Sequence, residues 1–242
     1  MKNSTKFLTV ALVLLLGALS AYNLGLRAEY RRGTYKDPLR NTALLKFTNF
    51  TEVDVQAASA VNVKITAGPG YSVRVNDDAK QYVQVSQQGA RLRIALAFPE
   101  DRAYLGSGDV VRITCPVLKR LTADGVYSLA GKPVTDSQVG RMGGSVRVQG
   151  FAADSLTLVQ DHGTRVELTG NRLGYLRAAA GQSPGSQSVL RIGQDNRIQA
   201  AAFDMQQRSE LELAGQIAQS SYQFGESAKV SFAGAALESL RR

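Results

Sequence analysis

The only histidine of the chain, His162, follows Asp161 in the segment QDHGTRVE. An aspartate and a histidine together with a serine can form a triad in which the histidine takes a proton from the serine nucleophile. The segment, however, is typical of a turn between two strands, because glycine follows the histidine directly. We therefore predict that His162 belongs to a turn, and that the chain has no catalytic residues.

The other residues that could bind a metal or react as a nucleophile are few. Cys115 is the only cysteine, which excludes an intramolecular disulfide and a site with several cysteines. It lies in VVRITCP, where alternation predicts a strand with the thiol buried. One histidine and one cysteine cannot complete a structural zinc site. The carboxylates considered for calcium, which needs six to eight converging oxygens, are scattered: Asp154, Asp161, Asp195 and Asp204. We predict no metal and no cofactor.

Some charged residues fall at alternating positions of the predicted strands and would lie on one outer face. They are Arg147, Glu167, Arg191, Glu210 and Glu212. Arg147 and Arg191 occupy corresponding places in different repeats, which would suit a polysaccharide ligand or a polysaccharide-cleaving enzyme. An ordinary solvated face has the same pattern, and the sequence leaves both interpretations open.

The net charge of +9 over 242 residues is concentrated at the N-terminus. Residues 1–40 carry seven Lys and Arg against only Glu29 and Asp37. The basic residues there flank an apolar segment, and no basic stripe with interleaved aromatic residues follows. We therefore expect contact with a membrane and no nucleic-acid partner.

Residues Phe7 to Leu26 form an uncharged run of 20 residues. At about 1.5 Å per residue, a helix of this length spans the hydrocarbon core of a bilayer. Arginines beyond the run favour an uncleaved anchor over a cleaved signal peptide, with small residues near Ala18–Ala21 as the cleavage alternative. The sequence thus divides into a transmembrane segment (1–26), a charged linker (27–46) and a body (47–242). Lys and Arg counts favour a cytoplasmic body, whereas long domains translocate regardless of them, and we expect export to the cell envelope.

Within residues 47–117, apolar and polar residues alternate in short runs separated by turns. The runs are VDVQA, VNVKITA, YSVRVND, YVQVSQ, LRIALAF and VVRITCP. Period-2 alternation predicts strands with one buried face. This first part of the body is therefore predicted to consist of about six short strands.

Residues 118–242 repeat a different phrase, in which two alternating apolar residues end on glycine. It occurs as YSLAG, VRVQG, VELTG, LELAG and VSFAG, with a shortened LRIG. The glycines stand at 131, 150, 170, 193, 215 and 234, and a second short strand precedes most copies. Two strands per repeat of about 20 residues predict a right-handed parallel β-helix, or β-solenoid, whose coils each turn a corner at glycine. A β-sandwich with regular hairpins is the alternative fold.

The same stretches resemble a known family. The run FTEVDVQAASAVNVKITAGPGYSVRVNDDAKQYVQVSQQGARLRIAL, followed by DVVRITCPVLKRLTADGVYSLAG, is similar to the putative auto-transporter adhesin, head GIN domain, of bacterial envelope proteins. The similarity covers about residues 47–240. It implies a β-helical domain on an exported protein without established enzymatic activity, and it transfers no catalytic or binding residues.

Together these patterns predict a non-catalytic, membrane-anchored envelope protein with an adhesin-like β-helical body. A carbohydrate or a cell-surface protein would be its ligand, and the oligomeric state stays undetermined. Two alternatives remain: a polysaccharide-binding or polysaccharide-cleaving β-helix, and a scaffold that self-assembles through the open strand edges of its terminal coil.

Overall fold

The computed structural model describes residues 3–33, 39–100, 105–106 and 108–241. The chain forms two compact units, Met1–Thr42 and Ala43–Arg242. The first unit contains helix α1 (Asn3–Arg32), whose side chains from Thr5 onward are exposed to solvent. Helix α1 is long and apolar enough to cross a membrane.

The regular secondary structure of the second unit consists mainly of strands, of which the first begins at Thr42. They are β1 (Thr42–Leu45), β2 (Glu52–Val55), β3 (Asn62–Ala67), β4 (Ser72–Asn76), β5 (Val83–Gln88), β6 (Arg91–Phe98), β7 (Val111–Cys115), β8 (Arg120–Ala123), β9 (Val126–Leu129), β10 (Lys132–Thr135), β11 (Ser145–Gln149), β12 (Ala152–Gln160), β13 (Thr164–Thr169), β14 (Arg172–Ala180), β15 (Ser188–Ile192), β16 (Arg197–Met205), β17 (Glu210–Leu213), β18 (Ile217–Phe224) and β19 (Lys229–Phe232). A 3-10 helix, Gly234–Arg241, follows β19.

The strands form two large sheets. Sheet A has the order β1-β4-β7-β3-β11-β13-β15-β17-β19, and sheet B has the order β10-β9-β6-β2-β8-β12-β14-β16-β18, with β5 paired to β6. From β11 onward the chain alternates between the sheets, so that each new strand lies parallel to the one before it in the same sheet. The prediction of a strand-built body after an N-terminal helix is confirmed.

The register of these parallel pairs stacks equivalent residues of successive repeats. In sheet A, Val146, Val166, Leu190, Leu211 and Val230 face one another in turn. The first four are buried and contribute to one continuous core between the sheets. The parallel pairing of neighbouring strands also differs from the β-sandwich alternative, in which consecutive strands would form antiparallel hairpins.

The sheets are nevertheless mixed at one end. The pairs β4–β7, β5–β6 and β9–β10 are antiparallel. The first glycine phrase, YSLAG, belongs to this end: β9 turns through Ala130 (φ 50°) and Gly131 (φ 75°) into β10. Two consecutive residues with positive φ make a two-residue hairpin turn. The prediction that this phrase begins the stack of repeats is therefore wrong.

The order of the strands also differs from a simple winding. In sheet B, β2 lies between β6 and β8, and in sheet A, β3 lies between β7 and β11. Strands β2 and β3 thus lie in the interior of their sheets, with β6 and β7 on one side and β8 and β11 on the other, while β1, β4, β9 and β10 extend the side of β6 and β7. The antiparallel strands thus cover the side where the later repeats do not stack.

The recurring glycines do not all have the same backbone conformation. Gly150, Gly170 and Gly234 have positive φ, as the corner interpretation requires. Gly193 and Gly215 do not, and the corner interpretation is wrong for them. A Cβ on Gly193 would lie 2.8 Å from Oδ1 of Asp195, and one on Gly215 would lie 3.0 Å from the carbonyl oxygen of Gly193. A Cβ on Gly193 would therefore displace the movable carboxylate of Asp195, and one on Gly215 would require the neighbouring corner to shift by a few tenths of an ångström.

Candidate functional site

His162 lies in a turn, as the sequence predicts, and has a positive φ of 44°. Its ring contacts a carboxylate other than its neighbour's, because Nδ1 lies 2.7 Å from Oδ1 of Asp124. Asp161, its neighbour in the sequence, accepts hydrogen bonds from the backbone N–H groups of His162 and Ser183, at 3.1 and 2.9 Å. The side chains of His162 and Asp161 therefore have different partners.

The carboxyl group of Asp161 is held in its charged form. Burial raises its pKa, but hydrogen bonds with Ser186, with Ser183 and with the backbone of His162 outweigh burial and lower the pKa below the usual 3.8. Ser186 also accepts a hydrogen bond from the backbone N–H of His162, at 2.9 Å. These contacts tie successive turns together and explain the polar residues of this corner.

A nucleophile-elbow pattern, G-x-S-x-G, does occur in the chain as GQSPG, with Ser183 in the middle. It lies in the connection between β14 and β15, and no helix follows it. A nucleophile elbow needs a strand-to-helix turn, which leaves the hydroxyl exposed and activated by a histidine. Here the backbone N–H of Ser183 donates to Oδ2 of Asp161 at 2.9 Å, so the pattern marks part of the corner network.

The remaining reactive side chains are separated from one another. Cys115 is fully buried, and burial raises the pKa of its thiol to about 12. The prediction of a buried strand cysteine is thus confirmed. Over residues 3–33, 39–100, 105–106 and 108–241, no three His, Cys, Asp or Glu side chains come together as metal ligands would. The four aspartates considered for calcium accordingly do not converge.

The charged residues predicted on one outer face do share a row. Sheet A places Arg147, Glu167, Arg191 and Glu212 in register on neighbouring strands, and we call this set the charge ladder. Nε of Arg147 lies 3.5 Å from Oε2 of Glu167, Nη1 of Arg191 lies 3.9 Å from Oε1 of Glu167, and Nε of Arg191 bonds to Oε2 of Glu212. Glu210 stands outside this row and accepts a hydrogen bond from Ser231 at 2.8 Å.

Positive and negative side chains alternate along the charge ladder, so their charges largely neutralise one another. The hydrogen bond with Glu212 raises the pKa of Arg191 above its usual value, although partial burial acts in the opposite direction. Cross-strand pairs of opposite charge stabilise a sheet modestly. The charge ladder is therefore better explained as a structural feature than as a ligand site.

On the other side of Arg147 the alternation of charge stops. The register continues through Lys64, Arg112 and Arg74, so that four cations stand side by side on four neighbouring strands. We call Arg74, Arg112, Lys64 and Arg147 the basic row. All four side chains are half-buried. Asp109, just before β7, approaches the row at 3.4 Å from Arg112 and 3.9 Å from Arg147.

Neutral hydrogen-bonding side chains flank the basic row on both sides. The outward positions next to it on the same four strands are occupied by Ser72, Thr114, Thr66 and Gln149 on one side and by Asn76, Asn62 and Ser145 on the other. Ser145 and Asn62 bond to each other at 2.9 Å. These four strands therefore present an outer surface with no aromatic and no aliphatic side chain.

Three of the four basic residues are not identifiable as a group from the sequence. Lys64, Arg74 and Arg112 each stand at an outward position of a correctly predicted strand, so the direction of each side chain was available. The sequence does not show that these residues are neighbours, because β7 lies between β3 and the antiparallel β4 in the sheet. Only the order of strands in the sheet reveals the row.

Sheet B carries a separate concave feature, a groove of about 1230 Å³ that crosses β12, β14, β16 and β18. Arg172 and Arg197 lie in register along one wall, and Asp154 also lines the groove. Leu173 and Ile198 contribute apolar surface. The groove is open, and its lining contains these two arginines and one carboxylate.

The last repeat leaves interior positions exposed. Tyr222 and Phe224 pair in register with the buried Phe203 and Met205, and Val230 pairs with the buried Leu211. Yet Tyr222 and Phe224 are each 40% exposed and Val230 is 36% exposed. The Tyr222 ring stacks on Phe203 with centroids 5.5 Å apart. In the described chain, only the 3-10 helix follows, with Ala236 buried and its N–H directed at the carbonyl oxygen of Ala214.

Comparisons with known proteins give structural similarity only. A putative adhesin from Bacteroides fragilis is 15% identical, with a TM-score of 0.39, over 79% of this chain and 95% of that chain. A putative lipid binding protein from Parabacteroides distasonis is 13% identical, with a TM-score of 0.34, over 80% and 94%. A putative adhesin from Parabacteroides merdae is 11% identical, with a TM-score of 0.29, over 79% and 95%. No protein-family model and no curated protein matches the chain.

Proposed function

We propose that the chain is a non-catalytic, membrane-anchored envelope protein whose body is a right-handed β-solenoid of the head GIN domain type. The observation that carries this proposal is the stack of parallel repeats, in register in both sheets, from β11 to β19. Such stacks form stiff, extended faces that suit binding of partners over a long surface. The function is adhesin-like: the body presents a sheet face to a carbohydrate or a cell-surface protein.

The proposed domain division follows the sequence, with a transmembrane segment at 1–26, a linker at 27–46 and the β-solenoid at 47–242. Exposed apolar residues along α1 support the anchor, since leucines and valines in such numbers are unfavourable in water. Under this proposal the body lies in the periplasm or at the cell surface. A cleaved signal peptide is the competing role for the same segment, and it would leave the body exported but unanchored.

Protease accessibility tests the location of the body. A tag placed after Arg242 is expected to resist protease in intact cells and to be cleaved in spheroplasts, or to be cleaved in intact cells if the body is at the surface. The intact mass of the purified protein distinguishes an anchor, which retains Phe7–Leu26, from a cleaved signal. A tag protected in both preparations would place the body in the cytoplasm and would exclude the proposed function.

A self-assembling scaffold is the second candidate, and the exposed interior positions of the last repeat favour it. Strand β18 contains no charged residue, proline or glycine over Ile217–Phe224. Natural edge strands usually carry such residues, because they prevent pairing with another chain. Pairing of β18 with β18 of a second copy, about a two-fold axis normal to the sheets, would cover Tyr222 and Phe224.

Sedimentation at increasing protein concentration tests this second candidate. The substitution Ser220→Lys places a charge at an interior position of the terminal repeat and is expected to keep the protein monomeric. The substitution Ser221→Lys is the matched control, because the neighbouring residue lies on the outer face and should leave association unchanged. A wild-type protein that is monomeric at all concentrations would exclude assembly through this end.

A further inference from the structure

We propose that the groove of sheet B binds a segment of a linear glycan that carries carboxylate groups on a hydroxyl-rich chain. This inference rests on the proposed function and names the class of its ligand. The groove has a volume of about 1230 Å³ and crosses β12, β14, β16 and β18. The side chains that would contact the glycan are Arg172, Arg197, Asp154, Gln199 and Gln216.

The groove lies along a bend that these four strands share. The row Asp154, Gly174, Gln199 and Ala218 is skipped in the pairing of β12 with β14, of β14 with β16 and of β16 with β18, although the register is the same before and after it. The alternation of buried and unburied side chains breaks at the same place, since neither Gly174 nor Tyr175 is buried. Because Gly174 and Ala218 are small, the bend leaves room for a ligand on the outer face.

The two arginines of the groove have no counter-charge in the described chain. Arg172 and Arg197 stand directly opposite each other on β14 and β16, and like charges so placed destabilise a sheet. Sheet B elsewhere pairs an outward arginine with a carboxylate across the strands, as Arg91 with Glu52 at 3.1 Å. Over residues 3–33, 39–100, 105–106 and 108–241, the guanidinium groups of Arg172 and Arg197 form no ion pair and no hydrogen bond. A ligand carboxylate would supply the missing charge, because guanidinium groups bind carboxylates in a bidentate manner.

The polar side chains beside the arginines indicate a ligand that also carries hydroxyl groups. Asp154 is exposed in the same lining, and an ionised carboxylate only accepts hydrogen bonds. It therefore suits a sugar hydroxyl and repels an anionic group. Gln199 and Gln216 are exposed amides, which both donate and accept. A hydroxyl-bearing chain with separated carboxylates matches this combination of two cations, one anion and neutral amides.

The lining of the groove argues against other ligands. Sites for single-stranded nucleic acid present aromatic side chains on which bases stack, and none of the described lining residues is aromatic. Surfaces that insert into membranes need exposed apolar side chains, whereas Leu173, Ile198 and Ile217 of the lining are buried. A peptide that adds to a sheet needs a free strand edge, and β12, β14 and β16 are paired on both sides.

Calorimetric titration of the full chain in detergent tests the proposal, with polygalacturonate as the probe and neutral dextran as the uncharged comparison. Arg172→Gln removes one cation and is expected to weaken the binding of polygalacturonate by about tenfold or more, through the loss of one charge-assisted contact. Arg197→Gln should have the same effect. Arg177→Gln is the matched control, because it makes the same change in an exposed arginine of β14 outside the lining of the groove. It should bind as the wild type does.

The substitution Asp154→Asn separates recognition of the sugar from attraction between charges. If attraction alone held the glycan, loss of a negative charge would strengthen binding. If Asp154 accepts a hydrogen bond from a sugar hydroxyl, the substitution weakens binding, because it replaces a charged acceptor with a neutral one. We expect binding of polygalacturonate to become weaker by a few fold.

Thermal unfolding separates loss of the site from loss of the fold. Arg172→Gln removes the repulsion between two opposed cations, so its melting temperature is expected to equal or exceed that of the wild type while its binding weakens. A lower melting temperature together with weaker binding would indicate a structural role for Arg172 and would contradict the proposal.

Four further results would overturn the proposal. They are binding of polygalacturonate no tighter than that of dextran, equal weakening by Arg172→Gln and Arg177→Gln, stronger binding by Asp154→Asn, and equal affinity for a single-stranded oligonucleotide. None of these results moves the body out of the envelope. Protease accessibility therefore decides the proposed function independently of the ligand.

Discussion

At the scale of single residues, the fold depends on close contacts between backbones of successive turns. Gly125 is an example, because a Cβ there would lie 1.7 Å from the carbonyl oxygen of His162 and 2.9 Å from that of Asp136. Buried amides have a similar role. Asn171 donates to the carbonyl oxygen of Val148 at 3.1 Å and accepts from the N–H of Phe151 at 3.0 Å. Such residues specify the path of the chain and have no chemistry of their own.

We expect Gly125→Ala to destabilise the body by roughly 3 kcal/mol or more, at the upper end of overpacking effects, because the atoms it meets are backbone atoms that cannot rotate away. Urea unfolding followed by circular dichroism measures the change. Gly70→Ala is the control, since nothing lies within 4 Å of its Cβ. Similar stability of the two variants would contradict the close approach of the two turns.

The stability of the body should fall in acid through Asp161. Its pKa is lowered in the folded protein, so its contribution is fully present above the ordinary aspartate pKa of 3.8 and is lost as the pH falls through the depressed value. Asp161→Asn should therefore cost stability at pH 7 and progressively less below pH 3.8. Unfolding free energies over this range, with the exposed Asp77→Asn as control, measure the effect. A cost that does not change with pH would contradict the prediction.

At the scale of elements, parallel strands make equivalent positions of different repeats comparable. Val166 and Val230 belong to the same row of sheet A, but Val166 is fully buried and Val230 is 36% exposed. The difference arises because strands cover β13 on both sides, whereas β19 is the last strand of its sheet.

Val166→Ala is expected to cost about 2 kcal/mol, from lost apolar burial and an unfilled cavity. Val230→Ala should cost less than about half of that, since its side chain is already partly in water. Chemical unfolding of dilute protein gives both values. Equal costs would mean that the last repeat is covered, and a rise in the cost of Val230→Ala with protein concentration would identify a second copy as the cover.

At the scale of the whole molecule, the helix and the body are separate compact units. Helix α1 contributes no buried residues from Thr5 to Arg32. The core of the body is formed by residues from Phe50 onward. The described core of the body therefore contains no residue of α1.

Removal of residues 1–41 is expected to leave the melting temperature of the body unchanged within a few degrees, and to make the protein soluble without detergent. Differential scanning calorimetry of the truncated and the full-length chain compares the two. A melting temperature lower by more than about 8 °C, which corresponds to a loss of roughly 2 kcal/mol or more for a domain of this size, would mean that the helix stabilises the body.

The sequence by itself determined the local structure of this protein. Alternating apolar residues identified the strands, as in VNVKITA for β3 and VELTG for β13, because a pleated strand directs successive side chains to opposite faces. The uncharged run at Phe7–Leu26 identified the helix for an equally local reason. The burial of Cys115 and the turn at His162 followed from the same patterns.

Only the tertiary structure decided which strands are neighbours. Pairing depends on contacts between residues far apart in the sequence, and alternation is the same for a strand in the middle of a sheet and one at its end. The insertion of β7 beside β3, the hairpin of β9 and β10, and the contact of His162 with Asp124 are all of this kind. The basic row also depends on strand pairing. Arg74, Arg112, Lys64 and Arg147 are neighbours only because four strands from different parts of the chain share one register.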